Sequence, residues 1–398
     1  MSNMVIIGAG ECGTRAAFAL REEGYQGEIT LIGDESGLPY ERPPLSKPDG
    51  VHICRKSICD QADLDSAKIT YIPGKTVVRI EPERKRILVD SDFIEYTKLL
   101  IATGASPRRL TCAGSENALY FRTFNDAEVL FSNQNSLRRI AIVGAGLIGM
   151  ELAAYLLMQG KEVTVIEMTS TPLGRAVPGP LAKKLTTRHI DEGLELLLET
   201  GIERIDDGKV VFNSGEFIEV DAVIAAIGVT PNIELALNAK LGVENGIRVD
   251  ASLRTSDPNI FAAGDCAQFP CPYSNKPVRM ESWRNARNQG NTAAKSMLGN
   301  DEAFGSIPWF WSDQFNLGLQ VVGLWDSKKS AVRRVKGDYE LLFQVDESGR
   351  LTCAAGLGIG NSVAKEIRIA EKLMERQIAP VHDQLADPSY DLKKFLRA

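Results

Sequence analysis

Two glycine clusters carry the first chemical signal. Gly8-x-Gly10-x-x-Gly13 and Gly144-x-Gly146-x-x-Gly149 each follow an apolar run and open a segment of helical period. In such a turn the first glycine permits the bend, the second lets backbone approach a pyrophosphate, and the third allows close helix–strand packing. Amide groups and the positive helix end then attract phosphate. Each cluster is followed, at the end of the next apolar run, by an acid: Asp34, with Glu35 as its rival, and Glu167. A carboxylate there accepts from ribose hydroxyls. Glu167 also repels a 2′-phosphate, and Met168-Thr169-Ser170-Thr171 brings no arginine to neutralise one, Arg175 coming slightly later. The second cluster is therefore expected to take NADH rather than NADPH. Two dinucleotide sites in one chain imply hydride transfer between two cofactors.

The elements that must position these residues occur twice. Residues 5–35 (VIIGAGECGTRAAFALREEGYQGEITLIGDE) and 140–168 (IAIVGAGLIGMELAAYLLMQGKEVTVIEM) share one plan: strand, glycine turn, helix, and a second strand closing on an acid. A further echo links Leu99–Gly104 to Val223–Gly228, each followed by an X-Pro step. Residues 67–97 and 204–221 read as short-stranded inserts. From about Ile307 the pattern changes. Phe315–Val322, Leu341–Val345 and Leu351–Leu357 read as strands, and Ser362–Arg376 as a helix. The expected fold is α/β, with two Rossmann-like dinucleotide-binding domains and a C-terminal α+β domain. The expected boundaries are 1–107 with 240–304, then 108–239, then 305–398.

Apolar residues make up 44% and charged residues 25%, an ordinary globular balance, and the net charge of -6 argues against a general nucleic-acid binder. No stretch is long and apolar enough to span a bilayer, and the given sequence enters a strand almost at once, so no signal peptide is expected. The seven cysteines are odd in number and show no C-x-x-C pair, so no disulfide framework, iron–sulfur site or metal site is expected. A reducing cytoplasm fits. His52, His189 and His382 form no catalytic or metal-like cluster and read as surface or incidental. Monomer and homodimer both stay open.

The residues also carry a family resemblance, over nearly the whole chain. Its most specific marker is Pro39-Tyr40-Glu41-Arg42-Pro43-Pro44-Leu45-Ser46-Lys47, directly after Asp34. Ala102-Thr103-Gly104, Phe121-Arg122-Thr123, Thr255–Asp265, Glu281-Ser282-Trp283 and Pro308–Gln314 complete it. The chain resembles the FAD-dependent, NADH-using ferredoxin reductases of bacterial oxygenase systems (the putidaredoxin reductase and biphenyl dioxygenase ferredoxin reductase family). The resemblance implies a glutathione-reductase-like arrangement with FAD at the first site. It implies FAD contacts from Gly8, Gly10, Cys12, Gly13, Asp34, Arg42, Lys47, Val77, Ala102, Thr103, Gly104, Arg122, Gly264, Asp265 and Trp283. For NADH it implies Gly144, Gly146, Leu147, Ile148, Gly149, Glu151, Glu167, Arg175 and Gly228. Lys47 then lies beside the flavin N5 edge, Glu151 faces the nicotinamide, and Trp283 falls near both rings. These three are the candidate catalytic residues. The rigid Pro43-Pro44 run suits a fixed lysine.

The implied acceptor is a [2Fe–2S] ferredoxin, plant-like or Rieske-type. Arg108, Arg109, Lys328, Lys329, Arg333 and Arg334 are the basic residues expected to steer such an acidic partner. Two other readings stay open. Cys54 and Cys59 have the spacing of a redox pair, which would make the enzyme a disulfide or other small-molecule reductase. Their flanks, Arg55-Lys56-Ser57-Ile58, are unlike the small, glycine-rich setting of such a pair. The other reading is a flavoprotein that acts mainly by binding a partner, with NADH as a conformational ligand.

Overall fold

The computed structural model describes residues 2–48, 53, 55–174 and 176–397. Among them the chain divides into two units: Met1–Arg42 with Arg55–Ser106 and Val229–Ser306, and Pro43–Cys54 with Pro107–Gly228 and Ile307–Ala398.

In the first unit, strands Asn3–Ile7, Glu28–Ile32, Ile69–Ile72, Lys98–Ile101 and Ile260–Ala262 form one parallel sheet with Asn3–Ile7 at its centre. Val5, Ile6, Leu99, Leu100 and Phe261 are buried, because a parallel sheet is covered on both faces and its strands read as continuous apolar runs. Helix Glu11–Glu22 packs on this sheet and against helix Trp283–Met297. Gly290 makes that approach possible, since a Cβ there would lie 2.5 Å from the Cys12 carbonyl oxygen.

The second unit repeats the plan around Arg139–Val143, flanked by Glu162–Ile166 and Ala222–Ala225. The register repeats as well. Ile7 pairs with Ile32 as Val143 pairs with Ile166, and the first glycine of each turn donates to that isoleucine carbonyl at 2.8 Å. Antiparallel inserts of three strands occupy Val77–Glu95 and Ile202–Glu219.

Residues 307–397 build an antiparallel sheet in the order Trp309–Gln314, Leu317–Gly323, Leu351–Ile359, Tyr339–Val345, Val332–Lys336, with helix Ala364–Glu375 packed on it. Two expectations change here. Phe315 belongs to a tight turn at φ +55°, and the strand before it is the aromatic motif itself. Val332–Lys336 is a strand that hydropathy hid, because Arg334 occupies its inward position. Arg334 is 1% exposed and donates to the carbonyls of Leu385, Asp387 and Tyr390. It holds the C-terminal segment in place and is not the surface cation expected for partner steering. No helix among the described residues is long and apolar enough to cross a membrane.

Candidate functional site

The two glycine turns match in atomic detail. A Cβ on Gly8 would lie 2.2 Å from the Ala102 oxygen, and one on Gly144 would lie 2.6 Å from the Ala226 oxygen. A Cβ on Gly13 or Gly149 would strike the oxygen of Gly8 or Gly144 at 1.9 and 2.2 Å. These four glycines are required by the chain itself. Gly10 and Gly146 differ. Their φ values of -78° and -79° suit any residue, and nothing lies within 4 Å of the missing Cβ. Neither helix start carries a side-chain cap. Open space before uncapped amides is the cradle a pyrophosphate fits, so both turns suit a dinucleotide.

In the first unit the strand end Ala102-Thr103-Gly104 meets this turn. Asn232, which sequence reasoning missed, clamps it: Asn232 Nδ2 donates to the Thr103 carbonyl and Thr103 Oγ1 to the Asn232 carbonyl, both at 2.8 Å. Glu35 is already engaged by Tyr40 Oη at 2.6 Å and Arg42 Nη2 at 2.8 Å. Asp34 is exposed and has no partner among the described residues, so Asp34 is the acid open to a ribose. Gly264-Asp265 forms a short turn at φ +81°, fixed by the buried Gln289, whose Oε1 accepts from the Gly264 amide at 2.7 Å. The sequence assigned Gln289 no role. Trp283 opens its helix behind the Ser282 cap. Val77 is buried, and so is Cys12, whose thiol burial pushes well above the usual range. Cys12 can pack against a ligand but not act as a thiolate.

In the second unit Lys47 and Glu151 come together, 105 residues after Ser46 in the case of the hydrogen bond Ser46 Oγ makes to Glu151 Oε2. Lys47 Nζ lies 3.2 Å from Glu151 Oε1 and 3.1 Å from Asp313 Oδ2. Glu151 is buried on helix Leu147–Met158 and accepts from Ser46 at 2.7 Å and from Ser312 at 2.6 Å. A buried carboxylate needs such donors. Trp309 and Trp311 stack at 5.2 Å, and Lys47 Nζ lies 5.7 Å from the Trp311 ring centroid.

Glu167 is fixed by three donors: Ala145 N at 2.8 Å, Thr169 N at 2.8 Å and Thr169 Oγ1 at 2.9 Å. Its carboxylate is thus tied to the second glycine turn, and with only Ala145 N on Oε2 it keeps an acceptor site there for a ribose hydroxyl. Leu147 and Ile148 begin the helix, and Gly228 turns at φ +93°. Arg122 stands before the Thr123-capped helix Phe124–Ser132, in the same unit as Lys47. Arg175 lies outside the described residues.

Three sequence expectations are corrected or narrowed. His189 is fully buried, not superficial. Arg333 is tied to the buried Glu340, which Lys184 also contacts, while its own side chain stays largely exposed. Cys54 and His52 lie outside the described residues, while the Cys59 thiol is buried and pushed up to about 11, which opposes redox use.

Residues 2–290 match the pyridine nucleotide-disulphide oxidoreductase family, and residues 309–396 match the reductase C-terminal domain. The chain belongs to this family. It is 39% identical to rhodocoxin reductase of Rhodococcus erythropolis, over 98% of this chain and 93% of that one. It is 37% identical to the ferredoxin–NAD(+) reductase component of the anthranilate 1,2-dioxygenase system of Burkholderia cepacia, over 98% of each. The crystal structure of the ferredoxin reductase for the CYP199A2 system from Rhodopseudomonas palustris superposes with a TM-score of 0.93 at 32% identity, covering 99% of both chains. The chain is an oxidoreductase of the flavoprotein type, working with FAD and NAD(H).

Proposed function

We propose that this chain takes hydride from NADH and delivers single electrons to a [2Fe–2S] ferredoxin, plant-like or Rieske-type, that serves an oxygenase in the cytoplasm. The observation that carries this reading is the doubled cradle: two glycine turns of one register, each open only at its second glycine. The names of its relatives supply the acceptor. Gly8, Gly10, Gly13, Asp34 and Asp265, with Lys47, Arg122 and Trp283, would hold FAD. Gly144, Gly146, Gly149 and Glu167 would hold NADH. Bound FAD supplies conversion between two-electron and one-electron chemistry. Lys47 presents a cation where negative charge develops. Glu151 and Asp313 hold that cation in place.

Glu167 sets the choice of nicotinamide cofactor. Glu167→Ala removes the charge that a 2′-phosphate would face, an effect of several kcal/mol in close juxtaposition. The NADPH-to-NADH ratio of kcat/KM is expected to rise about 10²-fold, equivalent to ~2.7 kcal/mol. An unchanged ratio rejects this role.

With Arg334 buried and Arg333 already paired with Glu340, steering falls to exposed cations such as Lys328 and Lys329. Reversing both to glutamate should slow ferredoxin reduction about tenfold at low salt, and less at high salt, because exposed charges are screened. Ferricyanide reduction should not change. The wild-type test is direct: anaerobic NADH bleaches the yellow protein, and an added [2Fe–2S] ferredoxin restores its colour. Failure of both ferredoxin classes to do so ends the acceptor assignment.

A further inference from the structure

Glu151 stands at one end of a buried row of polar side chains. Its Oε1 accepts from Ser312 Oγ at 2.6 Å. Ser312 in turn accepts from Gln314 Nε2 at 3.1 Å. The other end of that amide, Oε1, lies 2.9 Å from His189 Nε2. His189 is 0% exposed, and Gln314 and Ser312 are each 1% exposed. The row joins helix Gly179–Asp191 to helix Leu147–Met158 by way of strand Trp309–Gln314. Ser312 and Gln314 are two apart on that strand, so their side chains share one face. All of these residues lie in the second unit.

The directions of these bonds follow from the carboxylate. An ionised Glu151 can only accept. Ser312 has one hydrogen and spends it there, so its lone pairs must receive from Gln314. The Gln314 amide nitrogen therefore faces Ser312, and its carbonyl oxygen faces His189. The imidazole must then donate through Nε2–H. Burial pushes that imidazole down to about 4, so at neutral pH it carries one proton and Nδ1 is a bare lone pair. Nδ1 has no partner among the described residues. The opposite tautomer is worse. It would bury an unpaired N–H donor and set two acceptors, His189 Nε2 and Gln314 Oε1, against each other at hydrogen-bonding distance. His189 is further seated edge-on against Phe315, with ring centroids 4.8 Å apart.

We infer that His189 and Gln314 are positioning residues, forming with Ser312 a one-way hydrogen-bond chain that orients the Glu151 carboxylate and, through it, the Lys47 ammonium. A primary amide in the middle does not relay a proton, so the chain sets orientation and does not conduct. Without His189 the buried Gln314 carbonyl oxygen loses its donor, so the amide is held from the Ser312 end alone and the row that seats Glu151 loosens. The inference rests on the reading that the Lys47–Glu151 pair works where hydride is transferred.

The test has a structural arm and a kinetic arm. The chain has three histidines, so 15N-histidine NMR of the deuterated full-length protein is tractable, with His52→Gln and His382→Gln assigning the other two. At pH 7 His189 is expected to show a protonated Nε2 and a bare Nδ1, and Ser312→Ala is expected to let the other tautomer appear. In anaerobic rapid mixing of the yellow protein with NADH, His189→Leu is expected to slow flavin bleaching about tenfold with NADH affinity little changed. His189→Gln, whose Nε2 can donate in the same place, is expected to restore most of the rate. An Nδ1-protonated His189 in the wild type overturns the chain, even if His189→Leu fails to fold. Equal rates for the Leu and Gln variants overturn it as well, provided Glu151→Gln is slow. If Glu151→Gln itself bleaches at the wild-type rate, the reading of the Lys47–Glu151 pair falls and takes this inference with it.

Discussion

Gly10→Val is expected to give a folded protein that does not turn yellow. Gly10 sits at φ -78°, ψ -170°, a conformation open to every residue, and its missing Cβ would meet nothing within 4 Å. No demand of the chain explains a glycine there. The demand comes from what must approach the backbone. Two extra methyl groups beyond a Cβ fill the space in which a pyrophosphate would meet the amides. Intrusion of this kind costs about 1–3 kcal/mol, or roughly 5- to 150-fold in Kd, before the lost amide contacts are counted. Titrating apoprotein with FAD, followed by flavin absorbance, gives the number. The paired variants make the result specific. Gly146→Val should stay yellow and melt normally, yet lose NADH-driven bleaching by the same factor. Gly13→Ala should fail to fold, because its Cβ would lie 1.9 Å from the Gly8 oxygen. A Gly10→Val protein with wild-type FAD affinity would sink the assignment of the first cradle.

Much of this architecture was legible because it is local. A glycine turn, a helix and the next strand lie within thirty-odd residues in typical units of this kind, and the buried parallel strands announce themselves as runs such as Met4-Val5-Ile6-Ile7. The same locality separated Asp34 from Glu35 only in part. It took the Tyr40 and Arg42 contacts to show that Glu35 is already occupied. What the sequence hid is long-range and polar. Asn232 clamps Thr103 from 129 positions away, and His189 reaches Gln314 across 125. A lone half-buried asparagine or a lone buried histidine has no periodicity to betray it. Arg334 misled for the converse reason. Charge next to charge, as in Arg333-Arg334, reads as surface, but strand alternation sends one of the two inward, where main-chain carbonyls satisfy it. The strand that carries it disappeared from the hydropathy pattern with it.

Lys47→Met should slow the reduction of the bound flavin by NADH about 10²-fold, with the protein still yellow. The ammonium is kept in one place by two anions, Glu151 at 3.2 Å and Asp313 at 3.1 Å, and by the two prolines that stiffen the preceding turn. A charge so fixed needs no reorganisation when negative charge develops near it, and removing one such preorganised group typically costs about 10²–10³ in rate. The two carboxylates are not equal. Glu151 is buried and takes both serine hydroxyls, whereas the Asp313 side chain is 47% exposed. Glu151→Gln keeps the shape and the capacity to accept from Ser312 but removes the charge, so Lys47 loses its buried counter-ion and the rate should fall at least tenfold. Asp313→Asn should change it by no more than about fivefold, since an exposed pair contributes only ~0–1 kcal/mol. If Lys47 and Glu151 act as one unit, the double variant Lys47→Met/Glu151→Gln should be no slower than Lys47→Met alone, because the carboxylate has nothing left to hold. Additive losses would mean instead that each group acts separately on the bound molecules. A Lys47→Met enzyme that bleaches at the wild-type rate would remove the cation from the mechanism altogether and leave binding geometry as the whole contribution of this site.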